Sequence, residues 1–424
     1  MYKSLVVLIL LAPAALFGQM LGDPHSVYEI ATENNLFVGI RAAGMAGAQI
    51  AAAEDGAALW YNPALLTRIH RVELAGALSY QRFFNQTTYN LNPPVIGDEA
   101  QTNNTRFNSF WAVFPVPTDR GGLSLAFSAN RIKNFDRIFR FESETGWWNN
   151  PYAAGDGYGG GENDIGGLWA YSFGGGIEIS RNASVGLSLD LLDGGDEYTQ
   201  MLDSISGLYT YSDRFNLDDS YTGVTGKVGL AFSAGPNFHL GTVVKFPTEI
   251  TIKQVYDERL EINGEVDRYY GTGRYKYVMP FSFGAGAAYY FNQFLLAADI
   301  NYTDFTQIEY KSGLNRVSAN EDVKRYYRDI LGISIGAEYS FPEQGLTIRG
   351  GYNHDPIPFK YYSIDRDPNT FTGGFSYLVD RTLKIDLAVN FSRWTTGDPD
   401  FNNGISTREK YWTRRFYLGV SYRY

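Results

Sequence analysis

The chain closes with Phe416-Tyr417-Leu418-Gly419-Val420-Ser421-Tyr422-Arg423-Tyr424. Apolar side chains at 416, 418, 420, 422 and 424 alternate with smaller or more polar ones. Successive side chains of a strand point to opposite faces, so this pattern puts one face in lipid and the other in a lumen. With an aromatic residue at its carboxy terminus, the segment reads as the closing strand of an outer-membrane β-barrel.

The same period of two recurs upstream. Leu123, Leu125 and Phe127 alternate with Ser124, Ala126 and Ser128, and Val185, Leu187, Leu189 and Leu191 with Gly186, Ser188 and Asp190. Ile333 to Phe341 and Leu383 to Ser392 repeat it. Such segments number about fourteen, near 72–83, 107–116, 121–132, 165–180, 183–193, 221–235, 237–252, 274–291, 294–310, 328–341, 345–353, 370–379, 382–393 and 412–424. An even count suits a closed barrel with both termini on one side. Short connections such as Arg181-Asn182, Asn292-Gln293 and Asp380-Arg381 alternate with longer ones at 84–106, 133–164, 194–220, 253–273, 311–327, 354–369 and 394–411. Short periplasmic turns and long outer loops are the asymmetry of membrane barrels, and a soluble β-sandwich has no reason to sort its connections in this way. The expected fold is all-β: a 14-stranded antiparallel transmembrane barrel over 72–424.

Composition agrees. Tyr 32, Phe 28 and Trp 7 make 16% aromatics, suited to the girdles at a membrane interface, while a mean hydropathy of -0.25 is too low for helical spans throughout. One long apolar run, Leu5 to Phe17, follows Lys3 and ends at Gly18. It is too short to span a bilayer as a helix, and its flanks are those of a secretory signal, so residues 1–19 are expected to be a signal peptide. The chain has no cysteine, hence no lipid-bearing Cys and no disulfide. A net charge of -10 argues against a nucleic-acid partner.

No chemistry is legible. The histidines His25, His70, His239 and His354 form no metal-protease pair, no nucleophile elbow occurs, and the Gly155–Gly161 run lacks the Lys-Ser/Thr ending of a phosphate loop. That run reads as a flexible external loop. Asp190, Glu338 and Asp386 fall at lumen-facing positions, where a solvated barrel interior accounts for them. The expectation is no enzyme, no metal and no cofactor.

Residues 20–71 lack alternation. Ala- and Gly-rich turns, including Ala43, Gly44, Ala46 and Gly47, and a helix stop at Asn62-Pro63 predict short helices that pack closely against a wall. The segment is too small and Ala/Gly-rich to form its own core, so it is expected inside the barrel. Gly39 to Ala48, followed by Glu54 through Asn62-Pro63-Ala64-Leu65, resembles the N-terminal hatch of the FadL/OMPP1/TodX family of hydrophobic-compound transporters. Arg349-Gly350-Gly351-Tyr352…Pro356-Ile357-Pro358 resembles that family's Arg-x-Gly-Tyr…Pro-x-Pro segment.

The resemblance implies a hatch plugging the lumen through Gly44, Gly47, Asn62, Pro63 and Ala64. It also implies an apolar ligand such as a long-chain fatty acid or aromatic hydrocarbon, and passive uptake by hatch rearrangement and lateral exit at a kinked third strand. Ser128, Ala129 and Asn130, small and polar, are the candidate exit residues. Tyr422 and Tyr424 are the candidate signal for the outer-membrane assembly machinery. The remaining expected surroundings are outer-membrane lipid and lipopolysaccharide, for a monomer in the cell outer membrane of a Gram-negative bacterium. The hatch signature is shared with PorV-type barrels, which serve a secretion system as shuttle or scaffold, and this is the alternative. An open diffusion porin has no use for such a plug.

Overall fold

The computed structural model describes residues 36–89, 95–97, 99–143, 157–206, 209–313, 316–360, 367–398 and 407–424. The expected signal peptide and His25 lie outside the described residues.

Fourteen strands in antiparallel sequence form the wall. They are β1 Glu73–Tyr89, β2 Ala100–Val116, β3 Leu123–Asn134 continued by Arg137–Ser143, β4 Gly157–Ser180, β5 Ala183–Ser206, β6 Tyr209–Ser233 and β7 Phe238–Lys245 continued by Thr248–Ile262. The circuit proceeds through β8 Glu265–Met279 continued by Ser282–Phe291, β9 Phe294–Asp304 continued by Glu309–Ser312, β10 Asp329–Phe341, β11 Leu346–His354, β12 Asn369–Leu378, β13 Leu383–Asp398 and β14 Thr407–Arg423. β1 pairs with β14 from Glu73↔Arg423 to Tyr89↔Thr407, which closes the barrel and abolishes its edges. Pro247 and Pro280 interrupt β7 and β8 at adjacent positions, because proline supplies no ladder N–H.

Leu187, Leu189 and Val224 are exposed on the outer face, whereas Ser188 and Asp190 between them point inward and are buried. The exposed apolar side chains form a belt around the wall, where lipid removes the cost of leaving them outside a core.

Three expectations need correction. The loops foreseen at 194–220 and 253–273 are strand: β5 and β6 continue to Ser206 and Tyr209, and β7 and β8 meet at an Asn263-Gly264 turn with both residues at positive φ. Above the belt the outward residues are largely polar and the buried inward ones include Asp196, Asp213 and Asp219, so hydrophobic alternation disappears while the backbone ladder continues. Gly157 to Gly161 likewise belong to β4, paired with Met201 to Ile205. The stretch 311–327 contains a helix, Arg316–Tyr326, whose Ala319 and Val323 are buried against the lumen cluster containing Tyr310.

Candidate functional site

The hatch comprises helix α1 (Ile40–Gly44), helix α2 (Ala58–Tyr61) and a 3-10 turn at Pro63–Arg68. It lies inside the barrel at the short-turn end, and nearly all of residues 36–69 are buried. Asn62 caps the 3-10 turn by accepting from the Ala64 N–H (3.2 Å), and Pro63 opens that turn where a donor is dispensable. The same amide donates to the carbonyls of Ile50 (2.8 Å) and Leu230 (3.0 Å), tying hatch to wall. Replacing Asn62 with alanine leaves these buried groups unpaired, and should weaken hatch docking by about 3 kcal/mol, read as lower urea resistance of the hatch to protease.

The wall makes room for this backbone. A Cβ on Gly186 would stand 2.2 Å from the Pro63 carbonyl carbon, and one on Gly229 2.0 Å from the Asn62 side-chain oxygen. At α1 the fit is similarly close: a Cβ on Gly374 would stand 2.9 Å from the Gly44 Cα, and the Thr372 hydroxyl donates to the Gly44 carbonyl (3.0 Å). Gly47 turns the chain at φ 83°.

Ion pairs lock the hatch in place. Arg41 Nε meets Glu338 at 3.0 Å, and its Nη1 donates to Gln49 (3.1 Å) and to the Ala52 carbonyl (2.6 Å). Burial opposes the Arg41 charge, but the carboxylates of Glu338 and Glu54 more than offset this and hold its pKa above the usual value. Glu338 also takes Arg349 (2.5 Å), which reaches Asp386 at 3.6 Å. Asp299 accepts from the N–H groups of Gln49 (2.6 Å) and Ile50 (2.8 Å). At the seam, Glu73 holds Trp111 (2.6 Å), the Gly56 N–H (2.9 Å) and Arg423 (2.5 Å). Asp190 pairs with Lys227 at 2.9 Å. The three lumen carboxylates singled out from sequence are thus paired with bases, two of them in the network that holds the hatch.

Above the hatch lie two adjoining cavities of about 340 and 220 Å³, which share Ile132, Lys133, Lys245, Ser282, Asn301 and Gly332. Trp60 lines the first, with Lys227 Nζ 3.7 Å from its ring centroid. Leu168, Leu192, Ile250, Phe305 and Ile330 make the second more apolar. The outer end is covered by the Arg316–Tyr326 helix and the Pro356-Ile357-Pro358 segment, where Arg328 N–H donates to Pro358 (2.8 Å) and Arg328 Nε to Ile357 (2.9 Å). Near this cover Phe83 is buried beside Trp394 and Ile357, and Phe84 stacks on Trp412 (5.4 Å). Tyr158 lies on β4.

β3 parts from β2 beside these cavities while it stays paired with β4. Its pairing with β2 runs from Val116↔Leu123 to Ser109↔Asn130 and stops, although β2 continues to Ala100. Ser128, Ala129 and Asn130 remain in regular pairing with both neighbours, and the strand breaks at Phe135 and Asp136. Phe135 points into the lumen cluster, fully buried, and the Ile132 carbonyl receives the Leu36 N–H of the hatch (3.1 Å). Asp136 binds Arg106 of β2 (2.8 and 3.0 Å) and the Gly166 N–H of β4 (3.2 Å). Sequence reading had no signal for this break, because its causes sit some thirty residues away on either side.

A plugged barrel with an internal cavity and an interrupted wall is the architecture of an outer-membrane transport channel. The chain belongs to the outer membrane protein transport protein family (OMPP1/FadL/TodX), whose model matches residues 37–412. Members of this family are outer-membrane transporters of hydrophobic compounds. Among solved structures it is similar to a Pseudomonas aeruginosa FadL homologue (TM-score 0.65, 14% identity, 92% of this chain and 99% of that chain). It is also similar to the P. putida toluene transporter TodX (0.64, 17%, 92% and 99%) and to the CymD monoaromatic hydrocarbon channel (0.61, 14%, 93% and 99%). No curated protein matches the sequence. The comparisons lend no support to the secretion-scaffold alternative.

Proposed function

We propose that the protein carries a long-chain fatty acid or an aromatic hydrocarbon passively from the outer surface into the cavity above the hatch, and releases it sideways into the membrane between β2 and β3. The observation that carries this reading is the end of β2–β3 pairing at Ser109↔Asn130, next to Ile132 and Lys133 of the cavity wall. An apolar solute gains nothing from an aqueous pore, and the polar outer leaflet repels it; a chamber with apolar wall patches such as Leu168, Leu192, Ile250 and Phe305 and a side exit removes both obstacles. The hatch blocks the axial route and shifts to let the chamber fill. The toluene and monoaromatic channels among the structural neighbours favour an aromatic hydrocarbon as the first compound to try.

Labelled fatty acid and alkylbenzene uptake should fall in cells lacking the protein, and in cells whose β3 is cross-linked to β2 through introduced cysteines. Equal uptake in deleted, cross-linked and unmodified cells would reject the role for those compounds.

On the same reading the protein works as a monomer in contact with outer-membrane lipid and lipopolysaccharide. Tyr422 faces outward and Tyr424 is 82% exposed at the seam, positions open to the assembly machinery. Deleting Tyr424 should reduce the yield of folded barrel several-fold, with little change in the unfolding temperature of the fraction that folds.

A further inference from the structure

Beyond Ser109↔Asn130, where β3 no longer pairs with β2 but stays paired with β4, the lipid face is not left open. A β-bulge at Asn108, between the register pairs Ala77↔Ser109 and Leu78↔Phe107, shifts the alternation of β2 by one residue. Ser109 below the bulge is buried, and the shift sends Phe107 above it to the outer face, where it is exposed beside Leu78. Phe107 stacks there on Trp169 of β4, with ring centroids 6.0 Å apart and planes within 16°. In the paired part of the wall β3 stands between these two strands, as Phe127 does between Phe110 and Phe173. At Phe107 and Trp169 the rings instead meet directly, over the Arg131 position of β3, which still pairs with Trp169 but whose side chain is turned inward and buried.

A polar layer lies behind them. Asp136 bridges Arg106 of β2 and the Gly166 N–H of β4, and the Arg131 guanidinium reaches Asp136 at 3.8 Å and Asn134 at 2.7 Å. Behind that layer are Ile132 and Lys133 of the cavity. The order from lipid inward is therefore aromatic pair, ionic bridge, chamber.

We propose that Phe107 and Trp169 are the door of the lateral exit, setting how fast and how large a solute passes between chamber and bilayer. This rests on the lateral-exit reading above. Stacked rings fit that role, because they seal against water and ions yet part for an apolar solute that replaces the ring contact with its own. The Asn108 bulge has no other evident purpose. It leaves a fully buried amide with neither atom hydrogen-bonded among the described residues, a cost that re-aiming Phe107 explains.

The test exploits the absence of cysteine. Ile132→Cys places one thiol behind the door in full-length protein reconstituted in lipid vesicles. Its labelling by an alkyl maleimide dissolved in the bilayer should be about tenfold faster in F107A/W169A than in the parent, the loss of a stacked aromatic barrier. A charged, membrane-impermeant maleimide should react equally with both, and F110A/F127A, which removes a ring pair over intact strand pairing, should change neither rate. W169A alone, which leaves β2 untouched, gives the same test should the double variant fail to fold. Alkyl labelling no faster in F107A/W169A and W169A than in the parent, or accelerated as much by F110A/F127A, overturns the proposal. In parallel, uptake of an alkylbenzene should rise in F107A/W169A and fall when F107C and W169C are joined by a short bis-maleimide. Faster alkyl labelling with no protein-dependent uptake would leave the door standing and remove the transport reading instead.

Discussion

Replacing Gly186 with valine is expected to eject the hatch from the wall. The new Cβ would lie 2.2 Å from the Pro63 carbonyl carbon and 2.3 Å from the Ala64 nitrogen, both backbone atoms without freedom to step aside. Overpacking of this kind costs about 3 kcal/mol or more, enough to shift the docked and undocked hatch by a factor of about 100. The barrel itself should still form, since β4 to β6 pair along their whole length independently of the hatch. The expected phenotype is a heat-stable barrel with a protease-sensitive amino terminus, and faster leakage of small polar solutes from vesicles. Gly350→Ala is the control, because its Cβ would meet nothing nearer than the Thr372 carbonyl at 3.8 Å. Unchanged leakage in Gly186→Val would mean that the hatch does not depend on this contact.

The second large effect is expected at Glu338. Its carboxylate stands between Arg41 of the hatch and Arg349 of β11, both with side chains only 4% exposed. Glu338→Leu leaves two buried guanidinium groups facing each other, and removing one partner of a buried ion pair costs about 3–5 kcal/mol. Arg41→Met should be milder, because Glu338 keeps Arg349. Combining the two should restore part of the loss, since the Arg41 charge, left with Glu54 alone at 3.8 Å, is then gone. The ranking of the single and double variants, measured as urea resistance of the hatch to protease, checks the account. Equal losses in the three would show that the network acts as packing and not as charge.

What the sequence reveals depends on where a residue's two faces lie. β13 and β14 are legible because Leu387, Phe416, Leu418 and Val420 meet lipid while Asp386 and Ser421 meet the lumen. The count of fourteen strands follows from such segments and agrees with the structure. β5 and β6 beyond Asp193 and before Thr222 are illegible, because their buried inward face mixes carboxylates such as Asp196 and Asp219 with Tyr198 and Leu202, and their outward residues are largely polar, so no hydrophobic period shows. The hatch announces itself through Asn62-Pro63-Ala64, a local capping device. Its receptor on the wall does not: Gly186, Gly229 and Gly374 look like ordinary strand glycines until the distant backbone that fills their space is known. The turning point of β3 is hidden for the same reason, since Asp136 is fixed by Arg106 and Gly166 and not by its own neighbours.

The seam between β1 and β14 bears on how the molecule is built. Glu73 and Arg423 face each other there, and both also grip the hatch, through the Gly56 N–H (2.9 Å) and the Glu54 carbonyl (2.7 Å). The two strands are joined last in synthesis and lie at opposite ends of the chain, the most distant closure the fold requires. Because three elements share one cluster of charges, zipping the seam over an empty lumen would strand Glu73 and Arg423 without the hatch half of their partners. A docked hatch therefore favours the closing of the cylinder at this seam. A barrel assembled without it should zip this seam more slowly, yet reach the same closed, heat-stable cylinder.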